Sequence, residues 1–224
     1  METNDKRLKV AVIGCGMIAN IAHIPAYRSH ADRCTVVAVC SHSRATAEQT
    51  AQRFDIPGVY DDAETMLRET RPDLVSVCVP NGLHKAMTLL ALSYGAHVFC
   101  EKPVALTYAD AREMYDAAEK AGKTLMACQV LRCNPEYRFA KECMDNGTLG
   151  DVYYSEFSLI RRRGVPKWGE FHRREASGGG VFCDLGVHMV DAALWVMGSP
   201  RVKAVNGMAS SEIARHEQNV RTSL

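Results

Sequence analysis

A lysine, an acid and a histidine in this sequence have the types and spacing that acid–base chemistry requires. Lys102 follows a short apolar run, residues 97–100, and Glu101, so it stands at the end of a predicted buried strand. Asp184 and His188 are separated by one helical turn, which would bring their side chains to one face, about 5–6 Å apart at Cβ. On an apolar helix such a pair needs a partner or a purpose. The pair is therefore a candidate for catalysis, and an ordinary structural Asp–His pair is the alternative.

The sequence does not predict a metal site. His84, His172 and His188 show no metal-ligand spacing with the nine cysteines, and no two cysteines form a Cys-x-x-Cys pair. Single cysteines scattered through apolar runs are typical of a reducing compartment, so a cytoplasmic protein is expected.

Composition excludes several classes of partner. The chain has 224 residues and a net charge of +1, which favours neither nucleic acid nor an acidic partner. No window approaches the roughly 18 uninterrupted apolar residues of a membrane span. The first nine residues are polar and lack the apolar core of a secretory signal. A protein that acts on a small molecule, without membrane or nucleic acid, is the expectation.

A dinucleotide fingerprint lies close to the amino terminus. A β-rich run, residues 8–14, passes directly into Gly14-Cys-Gly16-Met-Ile-Ala19 and then into a helical pattern. In this G-x-G-x-x-A variant the first glycine makes the tight turn, the second admits a pyrophosphate, and the small third residue packs helix on strand. A plain strand-to-helix turn is the alternative. The residues predicted to bind the cofactor here are Gly14, Gly16, Met17 and Ile18.

The residues after the second predicted strand, 35–40, bear on the choice of cofactor. Sites that prefer NAD place an acid near this strand end to bond the ribose 2′-hydroxyl. Here the position carries Ser41, with His42 and Arg44 close behind. A hydroxyl and a cation suit a 2′-phosphate better than a carboxylate would, so NADP is favoured over NAD. The alternative is that Ser41 merely caps the next helix.

A near-continuous apolar run, residues 74–79, is typical of a strand buried on both faces of a parallel sheet. It ends in Pro80-Asn81-Gly-Leu-His84, where Asn81 could instead cap the next helix and His84 could face solvent. Strands alternate with helices from residue 8 to about 129, which predicts a doubly wound α/β domain. Such sheets bind ligands at the carboxyl ends of their strands, where Lys102 also stands.

The pattern changes from residue 130 onward. Asn134 and Pro135 predict the start of a helix. Residues 151–160 alternate as in a strand with one solvated face, and residues 201–208 are also strand-like. A basic segment, residues 161–174, is either solvated surface or a loop that closes over a bound nucleotide.

A triple glycine precedes the helix that carries Asp184 and His188. Residues 178–180 permit unusual backbone dihedrals or close backbone approach. The helix is predicted to end at Gly198.

Three motifs together resemble the Gfo/Idh/MocA family of NAD(P)-dependent oxidoreductases, which includes glucose–fructose oxidoreductase and inositol dehydrogenase. The resemblance covers nearly the whole chain. It implies a Rossmann dinucleotide-binding domain over residues 1–129 and a substrate-binding α+β domain with an open-faced mixed sheet over residues 130–224. The motifs, in chain order, are Gly14-x-Gly16, Glu101-Lys102-Pro103 and Gly178-Gly-Gly-(x3)-Asp184-(x3)-His188.

The resemblance also implies roles for individual residues. Lys102 and His188 match the family's catalytic lysine and histidine, and Asp184 matches its substrate-binding acid. Arg132 stands where relatives often have an arginine near the substrate. Besides Lys102, the positions that match the family's cofactor-lining residues are Pro80, Asn81, His84 and Glu101.

The expected reaction is reversible hydride transfer between NAD(P) and a secondary alcohol of a sugar or cyclitol. His188 would act as general base, Lys102 would hold the reacting oxygen, and Asp184 would orient the substrate or the imidazole. Family members usually continue further, so the chain is expected to be truncated at its C-terminus, with a homo-oligomeric full-length parent. A nucleotide-binding sensor or regulator without turnover is the alternative, as is an inactive fragment.

Overall fold

The computed structural model describes residues 7–160 and 177–210. The chain divides into two compact units, residues 1–128 and 129–224. The basic segment 161–174 lies outside the described residues.

A six-stranded parallel sheet forms the centre of the first unit. The strand order is 3-2-1-4-5-6, and every neighbouring pair is parallel. This is the Rossmann order, which reverses direction between β1 and β4, so the predicted doubly wound fold is confirmed. The strands are β1 (Leu8–Ile13), β2 (Cys34–Cys40), β3 (Gly58–Tyr60), β4 (Leu74–Val77), β5 (His97–Cys100) and β6 (Leu125–Ala127).

Helices cover both faces of this sheet. A π-helical segment, Ala19–His23, continues into α1, and a 3-10 turn, Asn81–Leu83, leads into α4. The helices are α1 (Ile24–Ser29), α2 (Arg44–Phe54), α3 (Ala63–Thr70), α4 (His84–Ser93) and α5 (Tyr108–Lys120).

The core is split by the sheet because successive strand residues point to opposite faces. Val12 packs with buried residues of α1 and α2, whereas Ala11 and Ile13 pack with those of α3, α4 and α5. Strands buried on both sides explain the continuous apolar runs in the sequence. The polar residues that follow each run therefore mark the carboxyl edge of the sheet.

Two short helices form most of the regular structure in the described part of the second unit. They are α6 (Pro135–Asp145) and α7 (Val187–Val196), the latter preceded by a π-helical segment, Phe182–Gly186. The Asn134 side chain accepts a hydrogen bond from the Glu136 backbone N–H at 2.9 Å, which confirms the predicted helix start. After α7, Gly198 adopts a φ of 74°, as expected for the predicted stop.

The strands expected in this unit are not observed. Residues 151–160 and 201–208 are irregular, and the described residues of this unit contain no strand. Alternating side chains alone do not make a strand, because its backbone N–H and C=O groups need a neighbouring strand. The described residues supply no such neighbour, so the expected mixed sheet is not formed there.

The described residues also contain no helix with the length and hydrophobicity that a membrane span requires.

Candidate functional site

The glycine turn after β1 has the geometry that a dinucleotide fingerprint requires. Gly14 has a φ of 97°, and a Cβ built on it would lie 2.5 Å from the Cys78 carbonyl oxygen. Only glycine fits there, because the end of β1 runs against the chain that leaves β4. A Cβ built on Gly16 meets no atom within 4 Å, and Met17 is 56% exposed. The turn therefore leaves an open surface on which a pyrophosphate can approach the backbone.

The residues after β2 lie at the same carboxyl edge. Ser41 is half-buried, and its backbone N–H donates to the Tyr60 carbonyl oxygen at 3.1 Å. The N-cap of α2 is Ser43, whose hydroxyl accepts from the Thr46 N–H, so the alternative that Ser41 caps this helix is wrong. His42 and Arg44 are exposed, and Ile18 of the glycine turn is half-buried.

After β4 the chain presents one exposed and two buried candidates. Pro80 is exposed, whereas Asn81 is 8% exposed and His84 is 1% exposed. The N-cap position of α4 is Leu83, so the alternative role of Asn81 as its cap is wrong. The alternative that His84 faces solvent is wrong too, because the ring is closed in by the core.

His84 joins the end of β4 to the turn that carries Lys102. Its Nδ1 lies 2.7 Å from the Pro103 carbonyl oxygen, and its Nε2 lies 2.9 Å from the Val79 carbonyl oxygen. Burial lowers the pKa of His84, although the two carbonyl oxygens oppose that shift. The imidazole thus contacts backbone on both sides of the predicted site.

The turn after β5 places a buried acid beside Lys102. The Lys102–Pro103 peptide bond is cis, and Lys102 itself is half-buried. Glu101 is 8% exposed, and its Oε2 accepts a hydrogen bond from the Lys102 backbone N–H at 3.1 Å. Its side chain therefore holds the turn from the core side.

The carboxylate of Glu101 is kept ionised by its donors. Burial alone would raise its pKa, but hydrogen bonds and charge from His23, with hydrogen bonds from Cys128 and the Lys102 backbone, lower it overall. His23 Nε2 lies 2.8 Å from Glu101 Oε1, and both side chains are nearly closed to solvent. The acid at the end of β5 is thus a bound anion in the core.

Sequence reasoning missed the residues that complete this network. His23 Nδ1 lies 3.0 Å from Ser76 Oγ, which lies 2.7 Å from the Tyr27 hydroxyl. One signal could have found His23: it stands four positions after Ala19, the small residue of the fingerprint that packs against the sheet. A histidine on that face is buried and needs a partner.

Part of this network also has the separation of a metal site. His23, Glu101 and Cys128 offer one nitrogen, one oxygen and one sulfur atom within 4.8 Å of one another. These are not the histidines considered above for zinc. Because the imidazole and the thiol both hydrogen-bond to the carboxylate, hydrogen bonding alone accounts for the arrangement.

The candidates of the second unit lie on its helices. Asp184 lies in the π-helical segment and His188 in the first turn of α7, and both are half-buried. Gly178 and Gly180 before them have φ values of 84° and 59°, which explains why glycine is used there.

Arg132 forms an ion pair with Asp191, a residue that was not predicted from the sequence. Its Nε and Nη2 donate to the two carboxylate oxygens of Asp191 at 2.9 and 2.6 Å, in the bidentate geometry that arginine favours. The guanidinium carbon lies 6.0 Å from the centre of the Trp195 ring. Asp191 therefore fixes the plane of the arginine.

Comparison with known families agrees with this geometry. Residues 8–129 match the model described as "Oxidoreductase family, NAD-binding Rossmann fold", and residues 137–223 match the model of the GFO/IDH/MocA C-terminal domain. The chain belongs to the Gfo/Idh/MocA oxidoreductase family. The predicted family is confirmed, and the first unit is of an NAD-binding Rossmann type.

Named relatives lie within the same family. The chain is 42% identical to a D-glucoside 3-dehydrogenase of Escherichia coli over 92% of its own length and 58% of that protein. It is 31% identical to a D-apiose dehydrogenase of Paraburkholderia graminis over 95% of its length and 56% of that protein. The chain thus spans less than two thirds of the length of these relatives.

A solved structure has the same fold over most of the chain. It is the myo-inositol 2-dehydrogenase of Lactobacillus plantarum, with a TM-score of 0.76 and 26% identity. The match covers 86% of this chain and 57% of that one.

Proposed function

We propose that this protein is an NAD(P)-dependent dehydrogenase that oxidises a secondary hydroxyl of a sugar or cyclitol and reduces the ketone in the reverse direction. The observation that carries the proposal is the position of Lys102. It follows β5 at the same carboxyl edge as the glycine turn after β1. Its turn is held by the Glu101 carboxylate, which accepts from the Lys102 N–H, and by the His84 imidazole at the Pro103 carbonyl oxygen. Parallel sheets of this kind bind their ligands at that edge.

Residues 1–129 would form the dinucleotide-binding domain, and residues 130–224 would belong to the substrate domain. The nicotinamide cofactor, when bound, supplies the hydride chemistry. The open surface over Gly16 suits its pyrophosphate, and the residues after β2 and β4 would line the rest of it. We assign this lining to Gly14, Gly16, Met17, Ile18, Ser41, His42, Arg44, Pro80, Asn81, His84, Glu101 and Lys102.

We assign the handling of the reacting alcohol to four side chains. The Lys102 ammonium would bind the reacting oxygen and stabilise negative charge on it. His188 would accept the hydroxyl proton as general base, and Asp184 would orient the substrate or the imidazole. Arg132, its plane fixed by Asp191, would hold a substrate hydroxyl.

The substrate class is taken from the relatives. Because the D-glucoside 3-dehydrogenase is 42% identical over most of the chain, the 3-hydroxyl of a D-glucoside is the first substrate to test. D-Apiose and myo-inositol follow from the other two relatives. NADP should be tested alongside NAD, because the end of β2 carries Ser41 and Arg44 and no acid.

The test is a screen of these three compounds with each cofactor, followed by the absorbance of the reduced nicotinamide. Lys102→Ala and His188→Ala should each lower turnover by at least roughly a hundredfold, the first because it removes a charge-stabilising group and the second because it removes a proton-transfer group. The dissociation constant of His188→Ala for the cofactor should stay within about twofold of wild type, and Lys102→Ala should weaken cofactor binding far less than it lowers turnover. Lys120→Ala, which removes an exposed lysine from the last turn of α5, is the matched control.

Each outcome of the screen separates the alternatives. Turnover that survives both substitutions would reject the roles assigned to Lys102 and His188. Tight cofactor binding without turnover on any sugar or cyclitol would favour a nucleotide-binding sensor. Absence of cofactor binding would favour an inactive fragment.

A further inference from the structure

The ends of β2 and β3 lie side by side at the carboxyl edge of the sheet. The last residue pair in their register joins Cys40 to Tyr60. The Ser41 N–H donates to the Tyr60 carbonyl oxygen at 3.1 Å, so the pairing extends one step past the strands. The next residue of the β3 chain, Asp61, therefore leaves the sheet next to Ser41.

Asp61 also contacts the cation that the sequence assigns to a 2′-phosphate. Its Oδ2 lies 3.8 Å from Arg44 Nη1. The Arg44 Nε lies 3.1 Å from Glu48 Oε1, one turn farther along α2. Arg44 is thus placed between two carboxylates, and of these only Asp61 stands at the strand ends.

The neighbouring acid has a different task. The Asp62 carboxylate accepts a hydrogen bond from the Thr65 N–H at 2.7 Å and caps α3. Hydrogen bonds from the Thr65 side chain and backbone lower the pKa of Asp62. Asp61 does not cap α3, and its side chain is 54% exposed.

A carboxylate at this edge acts on the cofactor in two ways. It accepts hydrogen bonds from ribose hydroxyls, which is the task of the acid usually found at the end of the second strand. It also repels a 2′-phosphate and offsets the positive charge of Arg44. Both effects lower the affinity for NADP relative to NAD.

We propose that Asp61 is the specificity-determining acid of the cofactor site and that it makes NAD the preferred cofactor. Asp61 directly follows β3, and its carboxylate takes the place of the acid that is absent at Ser41. The inference rests on the proposed dinucleotide site and reverses the preference for NADP that the residues after β2 suggest by themselves.

The test is cofactor binding, which needs neither substrate nor turnover. Dissociation constants for NAD and NADP are measured by calorimetry on the wild type and on Asp61→Asn, Asp62→Asn and Glu48→Gln. Asparagine is as good an N-cap as aspartate, so Asp62→Asn removes a charge at the adjacent position and keeps α3 intact. Glu48→Gln removes the other carboxylate of Arg44.

The wild type should bind NAD more tightly than NADP. Asp61→Asn should tighten NADP by roughly fivefold to tenfold, the effect of one unit charge several ångströms from a phosphate in water. The two control variants should change the ratio of the two constants by less than about threefold, since the Asp62 carboxylate caps α3 and Glu48 lies one turn along α2. Arg44→Ala added to Asp61→Asn should remove most of the gain.

Two results would overturn the inference while leaving the proposed function intact. One is wild-type protein that binds NADP more tightly than NAD. The other is an Asp61→Asn ratio that moves no more than that of Glu48→Gln. Protein that binds neither cofactor would instead overturn the proposed function, and the inference with it.

Discussion

Two stretches of one sheet edge hold their charged residues in different ways. After β5, Glu101 is 8% exposed and contacts His23 and the Lys102 backbone N–H. After β2 and β3, the side chains of Arg44 and Asp61 are 58% and 54% exposed, and the ion pair is 3.8 Å long.

The difference follows from the cost of removing charge from water. Removing the partner of a buried carboxylate strongly destabilises the folded protein, so the contacts of the carboxylate fix its geometry. An exposed ion pair contributes at most about 1 kcal/mol, so a ligand can rearrange it at little cost. The end of β5 is therefore suited to position a reacting group, and the ends of β2 and β3 are suited to select a ligand by its charge.

The largest expected effect comes from leaving the buried carboxylate without its imidazole. His23→Ala should lower the free energy of unfolding by about 3–5 kcal/mol, because Glu101 keeps a charge in the core. Urea unfolding measures the loss, and His30→Ala, at the exposed histidine that follows α1, is the control. A loss below about 1 kcal/mol would show that the buried pair does not fix this strand end. Glu101→Gln added to His23→Ala should recover part of the loss.

Removal of His84 should have the next largest effect. His84→Ala leaves the carbonyl oxygens of Val79 and Pro103 without the imidazole and opens a cavity, so we expect a loss of about 2–4 kcal/mol. Turnover should fall as well, since the Lys102 turn loses one of its two supports. His42→Ala, at an exposed histidine of the β2 end, should stay within about 0.5 kcal/mol. Equal losses of stability for the two variants would contradict the difference proposed between the buried and the exposed strand ends.

Two buried residues should each contribute a window to the pH dependence of stability. The pKa of His84 is lowered in the fold, so the unfolded chain binds more protons and stability falls as pH drops below the ordinary value of 6.5. The pKa of Glu101 is also lowered, so its contribution is present above its ordinary value of 4.5 and is lost as pH falls through the folded value. Thermal unfolding from pH 8 to 3 measures both windows.

Substitutions separate these two windows. His84→Gln should remove the decline that begins near pH 6.5, and Glu101→Gln the one that begins near pH 4.5. An unchanged profile in either variant would contradict the assignment for that residue.

The positions along this edge could be predicted from sequence, but the contacts between them could not. Apolar runs buried on both faces mark the strands, and the residue after each run falls at the carboxyl edge, as it does for Ser41 and Lys102. The partner of Glu101 is 78 positions away in the chain, and the partner of His23 is 53 away. Such contacts depend on how a helix packs across two strands, and no local pattern specifies that.

The second unit shows where a local pattern misleads. Residues 151–160 alternate like a strand, yet they remain irregular in the described structure. Helical signals were more reliable there, because Asn134 satisfies the first turn of α6 with its own side chain. A helix closes its hydrogen bonds locally, whereas a strand depends on a neighbour elsewhere in the chain.

A smaller effect tests how the exposed end is built. Ser43→Ala should cost about 1 kcal/mol, since it removes the hydroxyl that caps α2, whereas Ser41→Ala should cost less than about 0.5 kcal/mol. Chemical denaturation of both variants measures the difference. A larger loss for Ser41 would restore it as the residue that starts this helix.

The smallest effect should come from the pair on the surface of α2. Arg44 and Glu48 are one helical turn apart and more than half exposed, so a double-mutant cycle of Arg44→Ala and Glu48→Ala should give a coupling of about 0.3–0.5 kcal/mol. The same cycle for His23→Ala and Glu101→Gln should give a coupling several times larger, because that pair is desolvated. The salt dependence of the two couplings should also differ. Raising the salt concentration from 0.1 to 1 M shortens the screening length from about 10 to 3 Å. The surface coupling should then vanish while the buried one persists. If the two couplings respond alike to salt, the charges at the two strand ends do not differ in their exposure to solvent.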